Sequence, residues 1–242
     1  MPISSVLCYD IPAAPRGGYR AFGANPAVGA TAEALWAYGG AYNFVVAATT
    51  LKVASSSASD AAAGTGTKTV RVYGLVGGVE TSEDATMNGT TPVSLALAFE
   101  RIHEIRSLTA GTGEVNAGDI YCFTGAATAG VPDTATEVYA KMAVGAGSSH
   151  TGVFRVPTGK TGYVVNVGGF CGDVDNPVRI EFFERASGVR RSFASLQVAA
   201  SGWEKGFVVP EPIPGGADVY IMATCLGAGT PEVSGWFEIV LR

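Results

Sequence analysis

Thr69-Val-Arg-Val-Tyr-Gly-Leu75 decides how this chain is read. Val70, Val72 and Gly74 fall on one side of an alternating run, and Thr69, Arg71 and Tyr73 on the other. A period of two marks a half-buried β-strand. The same grammar surrounds it. Leu51-Lys-Val-Ala54 precedes it, and Met87-Asn-Gly-Thr-Thr-Pro-Val93 and Asn116-Ala-Gly-Asp-Ile120 follow, each in a short run closed by Gly, Asn, Asp or Ser. Such closures are the turn signals of a β-protein.

Working outward, strands are expected at 42–46, 50–54, 68–75, 79–87, 119–124 and 138–143. Further strands are expected at 153–156, 161–167, 178–184, 191–198, 206–209, 218–223 and 235–241. Residues 93–108 begin with period two and drift toward three, which reads as two strands joined by a bend. Gly77-Gly78, Asn88-Gly89 and Ser187-Gly188 are turn candidates, Asn88-Gly89 the strongest of them. Pro210, Pro212 and Pro214 form a stiff stretch that cannot be a central strand. The fold class is therefore all-β: an antiparallel β-sandwich or jelly roll, as one composite or two adjacent sandwiches, with at most one short helix.

Residues 1–41 differ in texture, with Pro12, Pro15, Gly17, Gly18, Gly23, Pro26 and Gly29 breaking any periodicity. They read as an extended N-terminal arm, with a short helix at 31–39 between a Thr31 N-cap and a Gly39 stop. Aromatic residues are dense there and just beyond. Trp36, Tyr38, Tyr42 and Phe44 are the candidate interface residues, against the alternative that they fold onto their own sheet. Because 125–136 is a loop of small residues, the expected divisions are the arm at 1–41, a β-domain at 42–130 and a second β-domain at 131–242.

Of the 242 residues 47% are hydrophobic and 15% charged, which supports a packed core and excludes a disordered chain. A net charge of −5 argues against a nucleic-acid partner, which would need a basic face. No apolar run approaches the ~20 residues of a membrane-spanning helix. Met1-Pro-Ile-Ser-Ser5 lacks a basic start and a long apolar run, so no signal peptide is expected. Cys8, Cys122, Cys171 and Cys225 are too scattered for a zinc site or a disulfide framework, and Cys122 and Cys225 read as small buried hydrophobes in strands.

No catalytic, cofactor-binding or metal site stands out. His103 and His150 lack the Gly-x-Ser-x-Gly elbow of a hydrolase. Gly64-Thr-Gly-Thr-Lys68 misses the spacing of a phosphate loop. Asp173-Val-Asp-Asn-Pro177 gathers calcium-type oxygens, but Asx residues before proline are ordinary turn formers. Glu80, Glu83, Asp84 and Glu114 are spread along polar faces and turns. Trp203 and Trp236 have the ring area of a sugar platform, though buried or interface tryptophans are commoner, and nothing singles out a host-surface glycan as partner.

Beside this residue-level reading stands a resemblance. Leu35-Trp36 through Gly40, Ser55-Ser-Ser-Ala-Ser-Asp60, Ala63-Gly-Thr-Gly66 and Thr69–Leu75 resemble virion structural proteins of tailed bacteriophages, many of them aquatic. The likeness continues through 87–93, Phe99-Glu-Arg-Ile102, Thr109-Ala-Gly-Thr-Gly113 and 116–120. A second block, Phe154-Arg-Val-Pro-Thr-Gly-Lys-Thr-Gly-Tyr163, is similar to a phrase common in phage virion β-domains. Together the blocks touch about half the chain. Gly74-Leu75-Val76 stands where Gly-Leu-Asp is usual. The resemblance implies a non-enzymatic shell or tail component made in the host cytoplasm, without cofactor. The leading expectation is a capsid cement or decoration protein, a homotrimer whose partners are the major capsid protein or other virion proteins. A tail, neck or fibre component and a carbohydrate-binding module are the alternatives.

Overall fold

A computed structural model describes residues 17–242. Cys8 and the first part of the expected arm lie outside the described residues. In chain order the strands begin with β1 (Gly17–Asn25), β2 (Glu33–Ala34), β3 (Thr49–Ser55), β4 (Thr67–Val76), β5 (Val79–Thr86) and β6 (Val93–Phe99). Next come β7 (Arg101–Ala110), β8 (Ile120–Phe123), β9 (Ala127–Thr128), β10 (Val131–Pro132), β11 (Val138–Met142) and β12 (Val153–Arg155). Last are β13 (Gly162–Cys171), β14 (Val178–Ala186), β15 (Val189–Val198), β16 (Ser201–Ile213), β17 (Asp218–Cys225) and β18 (Val233–Leu241). The single described helical element is a 3-10 turn at Ala135–Glu137. The protein is an all-β, antiparallel sandwich structure.

The described chain forms two compact units, Trp36–Thr151 and a discontinuous one that joins residues up to Leu35 to Gly152–Arg242. These bounds differ from the divisions expected at 41 and 130. Strand pairing, not composition, sets them. Val138 of β11 pairs with Phe123 of β8 across the small-residue loop that was expected to separate domains. At the other boundary, β1 pairs along its whole length with β18, from Gly17↔Leu241 to Asn25↔Val233. The described part of the arm is thus a sheet strand, and deletion of 1–40 would remove buried Ala21, Leu35 and Trp36 along with it. Such a deletion costs stability as well as any attachment.

In the Trp36–Thr151 unit, a four-stranded sheet β11-β8-β3-β6 and a three-stranded sheet β5-β4-β7 share one core. Leu51 and Val53, Val70 and Val72, and Ile102 and Ile105 supply alternate inward positions, joined by Ile120 and Cys122. The alternation of β4 holds as the sequence predicts, with Val70, Val72 and Gly74 buried and Thr69, Arg71 and Tyr73 half-exposed. The bend within 93–108 falls at Glu100, where the chain leaves one sheet for the other. Strand 42–46 does not form, because its aromatic residues pack on one another instead of entering a ladder.

In the discontinuous unit, sheet β1-β18-β13-β16 faces sheet β12-β17-β14-β15, on which β2 pairs with β17. Val164, Val167, Phe237 and Ile239 meet Ile180, Phe182, Val219 and Ile221 in the core between them. The expected helix at 31–39 is replaced by β2 and a turn, in which Asn25 donates to the Ala34 carbonyl and to Glu33. A two-turn helix has too few internal hydrogen bonds to compete with a sheet edge. Strand β16 runs through Pro210 and Pro212, which is tolerable because β16 is an edge.

The hairpin turns carry one prediction. Ala186 pairs with Val189, so Ser187 and Gly188 form a two-residue loop with φ of 50° and 80°. Both positions need the left-handed region, the signature of a type I′ turn. Asn is the favoured first residue there, so Ser187→Asn is expected to stabilise the chain by about 0.5 kcal/mol. A urea melt with an unshifted or lowered midpoint would contradict it.

Candidate functional site

Segments around Ser55, Thr67, Gly89 and Ala117-Gly118 converge on one buried side chain, Asp60. Asp60, fully buried, accepts hydrogen bonds at Oδ1 from the amides of Thr67 (2.7 Å) and Ala117 (2.9 Å). At Oδ2 it accepts from the Ser55 hydroxyl (2.6 Å) and the Gly118 amide (2.9 Å). Its own carbonyl accepts from Gly89, whose carbonyl in turn accepts from Ser55. Gly111 and Gly113 donate to the carbonyls of Gly66 and Thr65. At Gly66 a side chain is excluded, since an added Cβ would run into Asp60 Oδ1 and lie 3.0 Å from Ala117.

This knot explains the motif that superficially suggests a phosphate loop. The amide that follows Gly66, that of Thr67, does bind an acidic oxygen, and it is Oδ1 of the chain's own Asp60. The strongest turn signal, Asn88-Gly89, likewise serves the knot and is not a two-residue hairpin. Strand β5 pairs with β4 and β6 with β3, and Gly89, at φ 59°, docks against Asp60. Sequence reasoning named these segments without seeing that one acidic residue ties them together. The signal was present in their shared density of Gly, Ser and Asn.

The four candidate interface residues form one aromatic cluster. Trp36 lies 5.3 Å from Tyr38 and 5.0 Å from Tyr42, between ring centroids, and Tyr42 lies 5.0 Å from Phe44. Trp36 and Tyr42 are buried, whereas Tyr38 and Phe44 are half-buried. The indole N–H donates to the Gly39 carbonyl at 2.7 Å, and the Tyr42 hydroxyl to Ile102 at 3.3 Å. Arg101 covers Phe44 at 4.9 Å and donates to the Val45 carbonyl. Tyr38 meets Tyr121 edge-on at 6.3 Å. Beside it Asp119 accepts from Lys141 (2.9 Å), Tyr121 and the Val144 amide. Burial works against the charged Asp119 carboxyl, but those donors hold it below the usual carboxylate range. Burial beside Asp119 pushes the Tyr121 hydroxyl up.

The other sequence candidates are dispersed. His103 is buried on β7, where its carbonyl accepts from Thr151. His150 is held below its ordinary pKa by burial. Glu83 caps the bulged part of β6 through the amides of Ala96 (2.6 Å) and Leu97 (2.9 Å), and Asp84 is paired with Arg71. Asp173 accepts from the Asp175 and Asn176 amides and from the Asn176 side chain, so its oxygens are those of an Asx turn. Cys122, Cys171 and Cys225 are buried thiols, Cys122 on β8 and Cys225 on β17 as expected.

A feature that the sequence reading missed lies at the β15–β16 side of the second unit. Between Val164↔Glu211 and Asn166↔Gly206, residues 207–210 of β16 oppose Val165 alone, an irregular bulge of the edge strand. It turns Val208 and Val209 outward at 89% and 80% exposure, near half-exposed Phe207. Phe207 continues an aromatic column through Phe193 to core Phe182, with centroids 6.5 and 6.4 Å apart. Arg191, paired with Glu184 and Glu211, and Lys205, 5.5 Å over Phe207, border this apolar edge. Val208 and Val209 thus form a small exposed apolar edge beside Phe207.

No family model and no curated protein matches this chain. Among solved structures it is similar to that of infectious bursal disease virus Gt strain, at 9% identity and TM-score 0.25, over 100% of this chain and 76% of that one. For the Gx strain of that virus the values are 10%, 0.24, 96% and 76%. At such TM-scores neither likeness bears on fold or function.

Proposed function

We propose that this protein is a non-enzymatic structural component of a tailed-bacteriophage virion, a capsid cement or decoration protein that binds and stabilises the assembled head. The observation that carries this reading is the exposed Val208–Val209 bulge at the edge of a sandwich, a surface suited to being covered by a partner. The resemblance of the 51–120 region to phage virion proteins supports it, and so does the internal use of that region's polar groups in the Asp60 knot. A protein that binds only the assembled shell stabilises it by mass action. Its partners are the major capsid protein or other virion proteins, and further copies of itself, as a trimer. Trp36 and Tyr42 hold the unit's interior, and Tyr38 and Phe44 are the members of the aromatic set that a partner can reach.

Electron cryomicroscopy of the parent virion tests the assignment. Density for this chain bridging capsomers is the expected result; density at the vertex or tail would make it a neck, tail or fibre component. Val208→Asp together with Val209→Asp is expected to lower attachment at least tenfold, because two desolvated carboxylates would enter the contact, while the melting temperature of the isolated chain stays unchanged. Unaltered attachment would remove this edge from the interface.

A further inference from the structure

We propose that the outer face of the β1-β18-β13-β16 sheet binds carbohydrate, with Trp236 and Phe170 as stacking platforms. Cross-strand register places Phe22, Trp236, Gly168 and Glu204 in one row. Adjacent rows hold Arg20, Glu238, Asn166 and Gly206, and Ala24, Ser234, Phe170 and Gly202. Alternate residues of the same strands, Ala21, Val167 and Phe237, point into the core, so these rows face away from it.

Glycines under the rings make the face a platform. The Trp236 indole lies over Gly168, where an added Cβ would be 2.9 Å from Nε1 and closer still to two ring carbons. The Phe170 ring sits against Gly202 and Gly172, each 3.5 Å away by the same measure. Without side chains beneath them, both rings lie along the sheet instead of standing off it. Phe170 is 48% exposed, and Phe22, paired with Trp236, is 38% exposed. The exposed Arg20 guanidinium rides 5.6 Å from the indole centroid, near Glu238 at 3.8 Å, and is free of the core.

The flanks are polar in the way a sugar requires. Asn166 donates to the Glu204 carboxylate, and Glu238 lies in the same row as Asn166. Two buried atoms on this face, Asn166 Oδ1 and Trp236 Nε1, have no hydrogen-bond partner among the described residues. Both are covered, so the groups this face offers to a ligand's hydroxyls are the carboxylates of Glu204 and Glu238 and the Arg20 guanidinium. A pyranose offers an apolar C–H face to the negative π-face of an arene, and an edge of hydroxyls to carboxylates and amides. The same carboxylates, Glu204 and Glu238, disfavour a nucleic acid or an anionic lipid surface. A protein partner would favour a patch less charged at its centre. The ligand class is therefore a neutral oligosaccharide or polysaccharide.

The test needs only the purified full chain, so its outcome is independent of where the protein sits in a virion. An array of neutral hexose and N-acetylhexosamine oligosaccharides is probed with the wild type, Trp236→Ala, Phe170→Ala and Glu204→Gln, each checked for an unchanged melting temperature. Binding by the wild type that falls at least tenfold in Phe170→Ala and in either Trp236→Ala or Glu204→Gln is the expected result. Glu204→Gln keeps the side-chain shape, so the test survives if the tryptophan variant misfolds. Absence of wild-type binding on the array overturns the proposal. Binding retained by the folded variants overturns it too, because the sugar would then sit elsewhere.

Discussion

Asp60→Ala is expected to destabilise the Trp36–Thr151 unit by about 4 kcal/mol. The substitution leaves the amides of Thr67, Ala117 and Gly118 and the hydroxyl of Ser55 facing a cavity. A buried donor without a partner costs about 1–3 kcal/mol, and local relaxation that admits water recovers part of the sum. Asp60→Asn should be nearly as harmful, since one amide nitrogen would point a donor at donors. Scanning calorimetry of the full chain is expected to show this unit's transition lowered by more than about 10 °C. A shift of only a degree or two would mean that the carboxylate is incidental to the knot.

Trp36→Ala is expected to cost a similar amount, about 3–5 kcal/mol. The side chain is fully buried, its N–H is bonded to Gly39, and its ring contacts Tyr38 and Tyr42. Truncation opens a cavity and dissolves two aromatic pairs, each worth roughly 0.5–1.5 kcal/mol beyond area. Tyr38→Ala, at a half-buried position, is expected to cost about 1 kcal/mol. Urea denaturation of the isolated protein separates structural from interface roles. If Trp36→Ala left the midpoint in place, the tryptophan would belong to a partner contact and not to its own core.

Most strands were readable because alternation and turn chemistry are local. Val70, Val72 and Gly74 declare the inward face of β4, and Gly77-Gly78 closes its hairpin with β5, at φ of 57° and 74°. The bend at Glu100 was readable for the same reason, as a change of period within one segment. The irregular 42–46 stretch was not. Its β-type residues match a strand locally, but Tyr42 and Phe44 find better partners in Trp36 and Arg101. Context overrides propensity where aromatic packing competes with a ladder.

The sequence by itself determined an all-β chain with scattered thiols, the hairpin turns at Gly77-Gly78 and Ser187-Gly188, and the inward face of β4. Those are properties of nearest neighbours and of composition. Only the tertiary structure decided that Gly17–Asn25 closes a sheet with Val233–Leu241, that Asp60 ties Ser55, Thr67, Gly89 and Ala117-Gly118 together, and that Val208 and Val209 stand exposed. Each depends on contacts between residues far apart in the chain. Strand pairing and the desolvation of a carboxylate are energies of proximity, and proximity across such separations is written in no single stretch of sequence.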